Sequence, residues 1–301
     1  MDKTKLKSIF HNNKNKIITF LLLVLIIIVV LPGKKNDEYE IQRTLRYSFT
    51  LQNKTNTILK DVDFWVYAPV KETANQKTKT ITASEDYQLS EDELGNQVLH
   101  FEVPQFAPYA SKIIKLETKL LLSTHPVSHK LKNKAIYLQA EKYVEVNDPQ
   151  IETIAKQFQT SSTIKNAQNT MNWVHQNVKY AGYIEDDRGA LSALKARKGD
   201  CTEYMYLYTA LMRNQAIPTR NIGGYVYGEN KVLKAEDFHN WSEIYINGKW
   251  QVVDPQNGIF LENQNNYIAF RVISGKSDKK LTPSNTQRFA ISNQNISVKI
   301  N

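Results

Sequence analysis

Three residues in the second half of the chain have the side chains and the order that thiol chemistry requires. Cys201 is the only cysteine among 301 residues, His239 follows 38 residues later, and Asp254 comes after it. A thiol that is activated by an imidazole, with a carboxylate orienting the ring, can attack a carbonyl carbon and transfer an acyl group. The sequence therefore predicts a nucleophile, a base and an orienting acid within one stretch of the chain.

The residues around Cys201 predict the beginning of an amphipathic helix. Asp200 and Glu203 form an Asp-x-x-Glu capping arrangement, and apolar side chains recur at helical spacing after them. Pro218 predicts the end of this helix near Gln215. Unpaired N–H groups in a first helical turn favour a thiolate, and the N–H of Cys201 would bind a developing oxyanion if the cap leaves it free.

The dipeptide Asn247-Gly248 predicts a hairpin turn between a strand that begins at His239 and a strand that ends at Asp254. In the register of a two-residue turn, Trp241 faces Asp254, and His239 lies on the same side of the hairpin. Imidazole and carboxylate can then meet, while the second ring nitrogen addresses Cys201. We expect Trp241 to shield the pair from water.

Each of these residues also has an ordinary interpretation. A single cysteine is often a small buried apolar residue, a histidine before a strand is often a surface residue, and Asp254-Pro255 is a common way to end a strand. The three together favour catalysis. His175, on the predicted helix of residues 164–178, is interpreted as a surface or structural histidine.

Four stretches of the sequence resemble the transglutaminase-like superfamily: Leu191–Cys201, Ala210–Arg220, His239–Glu243 and Trp250–Pro255. The resemblance extends over roughly residues 135–270. It implies a papain-like α+β core with Cys201 as nucleophile, His239 as general base and acid, and Asp254 as the residue that orients the imidazole.

The resemblance also implies a reaction type, because such enzymes cleave amides or exchange one amine for another through a thioester. Whether water or an amine accepts the acyl group stays open. Tyr180, or less favourably Trp173, would complete the oxyanion hole, and Asn240 and Trp241 would line the substrate groove. The alternative is a catalytically idle envelope module of the same fold that binds a peptide or a partner protein.

The beginning of the chain predicts a membrane segment. Ile17–Leu31 is apolar apart from Thr19, and at about 1.5 Å per residue it covers about 22 Å, so an anchor over residues 17–33 must use flanking residues. No A-x-A-like site follows it, which favours an uncleaved anchor over a signal peptide. Five lysines precede it, which predicts that residues 1–16 are cytoplasmic and that the rest of the chain is extracytoplasmic.

The net charge of +9 does not indicate a nucleic-acid partner, because residues 1–35 hold seven Lys and one Asp and carry most of the excess. A peptide or protein substrate is expected, with an envelope protein as a further candidate partner. We expect no cofactor and no metal: His125 and His129 are i,i+4 neighbours, but Pro126 argues against a helix there.

Two domains are predicted after the anchor, which makes the fold class α+β. Alternating strands from Glu40 to about Leu122 predict a β-sandwich-like domain over residues 37–125, with a lone appended sheet as the alternative. Helical spacing then predicts a catalytic domain over residues 134–301, with a helix at Pro149–Gln157 capped by Asp148. The β-rich region resembles segments that precede such cores in bacterial cell-envelope proteins, and we expect it to position the core or a partner.

Overall fold

The structure is a computed structural model that describes residues 39–128, 130–131, 133–274 and 288–301. The predicted cytoplasmic tail and the predicted anchor at residues 17–33 lie outside the described residues, as does His129. Within these ranges, no helix has both the length and the apolar character needed to cross a bilayer. Residues Glu38–Asn301 form one compact unit, and its mixture of helices and sheets confirms the α+β class.

Six strands follow one another in the first part of this unit. They are β1 (Ile41–Asn53), β2 (Leu59–Ala68), β3 (Gln76–Ala83), β4 (Gln88–Glu91), β5 (Gln97–Phe106) and β6 (Ser111–Leu122). Burial alternates along β1 and β6, because every second side chain of a strand points to the same face. β3 and β4 were not predicted, since their residues are mostly polar and at least partly exposed.

These strands form two sheets that share one apolar core. One sheet has the order β10-β1-β6-β3 with β16 also on β1, and the other has the order β15-β2-β5-β4, where β10 is Lys231–Val232, β15 is Phe289–Ile291 and β16 is Ile296–Ile300. Leu45, Phe64, Phe101 and Ile114 meet in the core between the sheets. β10, β15 and β16, which all lie in the last 71 residues, thus pair with β1 and β2 from the beginning of the described chain.

Four helices follow β6: α1 (Pro149–Lys156), α2 (Thr163–Asn177), α3 (Ala190–Ala196) and α4 (Cys201–Asn214). α1 and α2 begin one residue after the side-chain caps Asp148 and Ser162, close to the predicted bounds. α4 is the central helix, since it packs against the other three helices and against a sheet. Nearly all of its side chains from Glu203 to Arg213 are buried.

That sheet has the order β13-β12-β11-β9-β14, built from β9 (Thr219–Val226), β11 (Phe238–Ile246), β12 (Lys249–Asp254), β13 (Ile259–Phe260) and β14 (Tyr267–Ile273). The turn at Asn247-Gly248 has φ values of 53° and 78°, as a two-residue hairpin turn requires. Ile246 pairs with Lys249, which is the predicted register. Two short parallel strands, β7 (Lys179–Tyr180) and β8 (Lys198–Gly199), lie before α4.

The outer edge of β14 is covered by side chains from the first part of the chain. The Gln76 amide donates to the carbonyl of Ala269 at 3.0 Å and accepts from its N–H at 2.8 Å. The Asn96 amide does the same with Val272, at 3.0 and 2.7 Å. The β-rich part and the helical part therefore share buried hydrogen bonds, while the exact domain boundaries stay a prediction.

Candidate active site

The first turn of α4 is held by a reciprocal cap. Asp200 accepts a hydrogen bond from the N–H of Thr202 at 2.8 Å, and its own N–H donates to the Glu203 carboxylate at 3.1 Å. The side chain of Asp200 also accepts from the N–H of Glu203. The cap therefore uses the N–H groups that follow Cys201 and leaves the N–H of Cys201 out, and the Cys201 side chain is partly exposed.

The two capping carboxylates also fix the loop before α3. The second oxygen of Asp200 accepts from the N–H of Ile184 at 3.0 Å, and the second oxygen of Glu203 accepts from the N–H of Arg188 at 3.1 Å. Burial raises the pKa of the Glu203 carboxyl, although these backbone donors oppose the shift. Gly199 permits the arrangement, because a Cβ there would lie 2.3 Å from the Cβ of Glu203.

The imidazole of His239 and the carboxylate of Asp254 meet as the hairpin register predicts. His239 Nε2 lies 2.7 Å from Asp254 Oδ2, with 13% of the histidine side chain and none of the aspartate side chain exposed. Because Nε2 is engaged by the carboxylate, Nδ1 is the ring nitrogen left for another partner. The Cys201 side chain is close enough to the imidazole to favour its protonated form.

The carboxylate of Asp254 has two further side-chain donors. The hydroxyl of Tyr267 donates to Oδ2 at 3.0 Å, and the Asn257 amide donates to Oδ2 at 2.7 Å, while the N–H of Asn257 donates to Oδ1 at 3.2 Å. Burial alone would raise the pKa of Asp254, but the hydrogen bonds and charge of His239, together with Asn257, lower it below its usual value. Asp254 is therefore held as the carboxylate.

The environment of His239 favours its protonated form. Burial lowers the pKa of this imidazole, but the hydrogen bonds to Asp254 and Cys201 outweigh burial and raise the pKa to about 10. An imidazolium beside a sulfur atom stabilises a thiolate, and the same group can return its proton to a leaving amine. The arrangement therefore has the groups for nucleophilic acyl chemistry.

Trp241 lies behind the imidazole. Its ring is stacked on His239 with centroids 6.4 Å apart and meets the ring of Tyr267 edge-on at 5.1 Å. Trp241 has 0% exposure, so it supports the imidazole from the interior and does not offer a surface to a substrate groove. Gly224 gives it space, because a Cβ there would lie 2.8 Å from the Trp241 ring.

Asn240 lies closer to the nucleophile than the sequence indicated. Its Nδ2 donates to Thr202 Oγ1 at 2.9 Å and is 3.6 Å from the sulfur of Cys201. The residue is 8% exposed. Asn240 therefore contacts the sulfur of Cys201 directly, which the sequence did not indicate.

The two candidate oxyanion residues differ in position. Tyr180 is 60% exposed, on the short strand that pairs with Lys198–Gly199 directly before the nucleophile. Trp173 is partly buried, with the guanidinium of Arg197 4.5 Å from its ring centre. The ring of Tyr180 is therefore largely exposed, whereas Trp173 packs against the helical core beside Arg197.

The remaining histidine on α2 has a structural partner. His175 Nδ1 lies 3.0 Å from the carbonyl oxygen of Pro255, beside Gly258. This agrees with its interpretation as a structural residue. Within the described part of the chain, no group of three His, Cys, Asp or Glu side chains could hold a metal ion.

Sequence reasoning did not identify Asn257 and Tyr267 as parts of the site. Asn257 comes three residues after Asp254, and a polar residue in the turn after the Asp-Pro pair is the one signal that could have indicated it. Tyr267 reaches the carboxylate from β14, two strands away from β11 in the sheet. No pattern of neighbouring residues in the sequence predicts this contact between different strands.

Comparisons with known proteins agree with this geometry. The family model of the Transglutaminase-like superfamily matches residues 152–255. No curated protein matches the sequence. Several solved structures are similar, and one of them is a candidate cysteine protease from Cytophaga hutchinsonii, with 16% identity, a TM-score of 0.56, and coverage of 87% of this chain and 92% of that one.

Two further similarities are weaker. The periplasmic domain of TgpA from Pseudomonas aeruginosa has 12% identity and a TM-score of 0.39 over 70% of this chain and 88% of that one. The red sea bream transglutaminase has 10% identity and a TM-score of 0.29 over 72% of this chain and 50% of that one. At such identities the first similarity shows a shared fold and no more, and the lower TM-scores add nothing to it.

Proposed function

We propose that this chain is a thiol enzyme that transfers or hydrolyses the acyl group of amide or isopeptide bonds in peptides or proteins, and the match of residues 152–255 to the model of the Transglutaminase-like superfamily supports this proposal. One observation carries the proposal: a partly exposed Cys201 lies at a capped helix start and faces an imidazole whose other nitrogen is 2.7 Å from a buried carboxylate. These are the groups of a Cys-His-Asp triad.

The proposed reaction has two halves. The Cys201 thiolate attacks the carbonyl carbon of the amide, and the electron pair of the C=O bond moves to oxygen, where the N–H of Cys201 is placed to donate. The His239 imidazolium gives its proton to the leaving nitrogen, the C–N bond breaks, and a thioester remains. Water or an amine then attacks the thioester while neutral His239 takes its proton, and the thiolate leaves.

The competing proposal is a binding module that uses the same groove without chemistry. The burial and the hydrogen bonds around Asp254 support the enzyme, since a module that only binds has no use for a carboxylate kept ionised behind an imidazole.

Thiol labelling distinguishes the two. We expect iodoacetamide to alkylate Cys201 rapidly near pH 6, and the variant His239→Ala to be slower by about 10-fold to 100-fold, because a free thiol is less than about 1% ionised there. The control is His100→Ala, on β5 with its own partner Asp63, which should not change the rate. A wild-type profile that matches a free thiol would support the binding module.

A second experiment separates hydrolysis from transfer. Dimethylated casein is offered as acyl donor with and without a fluorescent primary amine, and both incorporation of the amine and release of ammonia or peptides are measured. Incorporation that needs Cys201 supports a transferase, whereas cleavage or ammonia release that the amine does not compete with supports a hydrolase. Activity that persists in Cys201→Ala would contradict the proposed nucleophile.

We further propose that the described domain is extracytoplasmic, anchored by residues 17–33. The proposal rests on the sequence, where an apolar segment follows five lysines. Cys201 is the only cysteine, so it serves as a topology probe: a membrane-impermeant maleimide should label the protein on intact cells, with Cys201→Ser as the unlabelled control. Labelling that requires lysis would place the domain inside.

A further inference from the structure

Asn240 has an unusual relation to the nucleophile. Its side-chain amide has two hydrogens, and Nδ2 lies 2.9 Å from Thr202 Oγ1 and 3.6 Å from the sulfur of Cys201. One hydrogen can therefore point to the hydroxyl and the other to the sulfur, where the longer distance suits a sulfur acceptor. The amide thus bridges the nucleophile and the residue after it on α4.

The protein tolerates an unsatisfied polar atom to keep this amide. Oδ1 of Asn240 is buried, with no hydrogen-bond partner within the part of the chain that the structure describes. Gly223, its neighbour on β9, leaves space for that oxygen, since a Cβ there would lie 3.1 Å from Oδ1. A buried acceptor without a partner is unfavourable, and an apolar side chain at position 240 would avoid that penalty. The amide therefore needs a role that an apolar residue cannot fill.

We infer that Asn240 is a catalytic residue that donates a hydrogen bond to the Cys201 sulfur and, with His239, stabilises the negative charge that the sulfur carries when it attacks a carbonyl carbon; this rests on the proposed thiol chemistry. Thr202 is the positioning residue, because its hydroxyl accepts from the same amide and fixes the direction of the other N–H. The sulfur then has two donors from adjacent residues of β11, the imidazolium and the amide.

The charged groups near the sulfur and the Asn240 amide come from the hairpin, α4, β14 and the loop before α3. The hairpin contributes His239, with Asp254 behind it. α4 contributes Asp200 and Glu203, and both carboxylates accept backbone N–H groups of the cap and of residues 184 and 188.

β14 contributes Arg271, whose guanidinium lies beside Gly223 on the side where Asn240 Oδ1 also lies. The loop contributes Asp187, which accepts from the hydroxyl of Tyr206. The hydrogen bonds of the carboxylates and of His239 do not involve the Asn240 amide, so a change at position 240 leaves those partners in place.

The inference predicts a distinctive pH profile. A donor to the thiolate raises the ionised fraction at low pH, but it also makes the sulfur a weaker nucleophile once it is ionised. Asn240→Ala should therefore move the acid limb of iodoacetamide labelling to higher pH by about one unit, which is about a tenfold slower rate at any pH below both midpoints. The rate at the alkaline plateau should not fall. A merely structural role would lower the rate at every pH and leave the midpoint unchanged.

Two further variants make the test independent of one substitution. Asn240→Asp has the same shape but places a carboxylate beside the sulfur, so the shift to higher pH should exceed that of the alanine variant. Thr202→Val removes only the hydroxyl that directs the amide and should give a smaller shift in the same direction. Thermal melting of each variant verifies that it is folded.

The result that overturns the inference is an unchanged midpoint in both Asn240 variants. A shift to lower pH would also overturn it, because it would mean that the amide oxygen accepts from the thiol. Labelling needs no substrate, so these outcomes differ from a failure of the proposed function. That failure would appear as a free-thiol profile in the wild type that His239→Ala does not alter.

Discussion

The carboxylate of Asp254 accepts hydrogen bonds from three side chains, His239, Asn257 and Tyr267, and this set determines how the imidazole behaves. An ionised carboxylate accepts only, so Nε2 of His239 must be its protonated nitrogen. In the proposed mechanism, Nδ1 is then the nitrogen that exchanges a proton with Cys201 or with a substrate. The carboxylate of Asp254 thus determines which ring nitrogen is available for that exchange.

Replacing this carboxylate by an amide tests that relation. In Asp254→Asn the pKa of His239, about 10 in the wild type, should fall toward its usual value of about 6.5. Labelling of Cys201 at pH 7 should then slow by about tenfold or more, because the imidazolium that stabilises the thiolate is largely lost and a free thiol is only about 3% ionised there. The measurement is the His239 imidazole proton resonance together with the labelling rate from pH 5 to 10.

The same raised pKa has a consequence for stability. A histidine that is more basic in the folded protein stabilises it fully below the unfolded pKa of about 6.5, and this contribution is lost as the pH rises through about 10. Asp254→Asn should lack this pH-dependent part of the free energy of unfolding. Tyr267→Phe, which removes one donor and no charge, is the control and should change the His239 resonance little. An Asp254→Asn variant with an unaltered resonance would contradict the assignment.

At the level of residues, sequence reasoning identified side chains whose signals are local. Cys201 was indicated by its cap, and His239 and Asp254 by the turn between their strands. Trp241 was placed on the correct face, but whether it lies under the imidazole or at the surface depends on Tyr267, which comes from a distant strand. The bridge between Asn240 and Cys201 joins a strand to a helix, and no local pattern predicts it.

The edge strand β14 connects the β-rich part of the chain to the active site. Gln76 and Asn96 take the place of a neighbouring strand along its outer edge, and Tyr267 at its beginning donates to Asp254. An unpaired edge would expose backbone groups and allow the strand to shift. The side-chain amides of Gln76 and Asn96 therefore fix the position of β14. Tyr267, at the beginning of this strand, donates to the carboxylate of Asp254.

Gln76→Ala tests this connection. The side chain is 0% exposed, and its loss leaves the N–H of Ala269 buried without a partner, so the free energy of unfolding should fall by about 1 to 3 kcal/mol. Urea unfolding measures the change. The matched control is Gln88→Ala, an exposed glutamine on β4 whose amide contacts only Glu102, which should stay within about 0.5 kcal/mol of the wild type. Equal effects of both variants would show that the buried amide has no special role.

At the level of elements, prediction succeeded where caps and turns determine the structure. The helices α1, α2 and α4 and the hairpin lie within a residue or two of their predicted bounds, because capping side chains and the Asn-Gly turn act over a few residues. β3, β4 and β10 were missed. Apolar and polar residues alternate only weakly in these segments, or the residues are exposed. The segments form strands because they pair with strands that are distant in the sequence.

At the level of the whole molecule, β1 pairs with strands from distant parts of the chain. One edge of β1 pairs with β6, while the other edge is divided between β10 at Leu45–Arg46 and β16 at Phe49–Asn53. The N–H of Leu233, beside β10, donates to the carbonyl of Arg46 at 2.8 Å, and this segment leads directly to the strand of His239. The loop before His239 is therefore bound to the β-rich sheet.

A substitution in the last strand should accordingly affect the whole compact unit. Ile296→Ala removes a side chain that is 4% exposed in the shared core and should lower the free energy of unfolding by about 2 to 5 kcal/mol. Tryptophan fluorescence and accessibility of Cys201 should report one common transition. Lys299→Ala, on the exposed side of the same strand, is the control. Separate transitions for the two signals would show that the β-rich part and the helical part unfold independently.

The division of the β1 edge also has a consequence for how the chain is made. Phe49 leaves the ribosome long before its partner Ile300 exists, and at 5 to 20 residues per second the delay is roughly 12 to 50 s. During that interval one edge of the second half of β1 has no neighbouring strand, although β6 already pairs with its other edge. A newly made chain therefore exposes unpaired backbone groups that can pair with another nascent chain until the last residues have been synthesised.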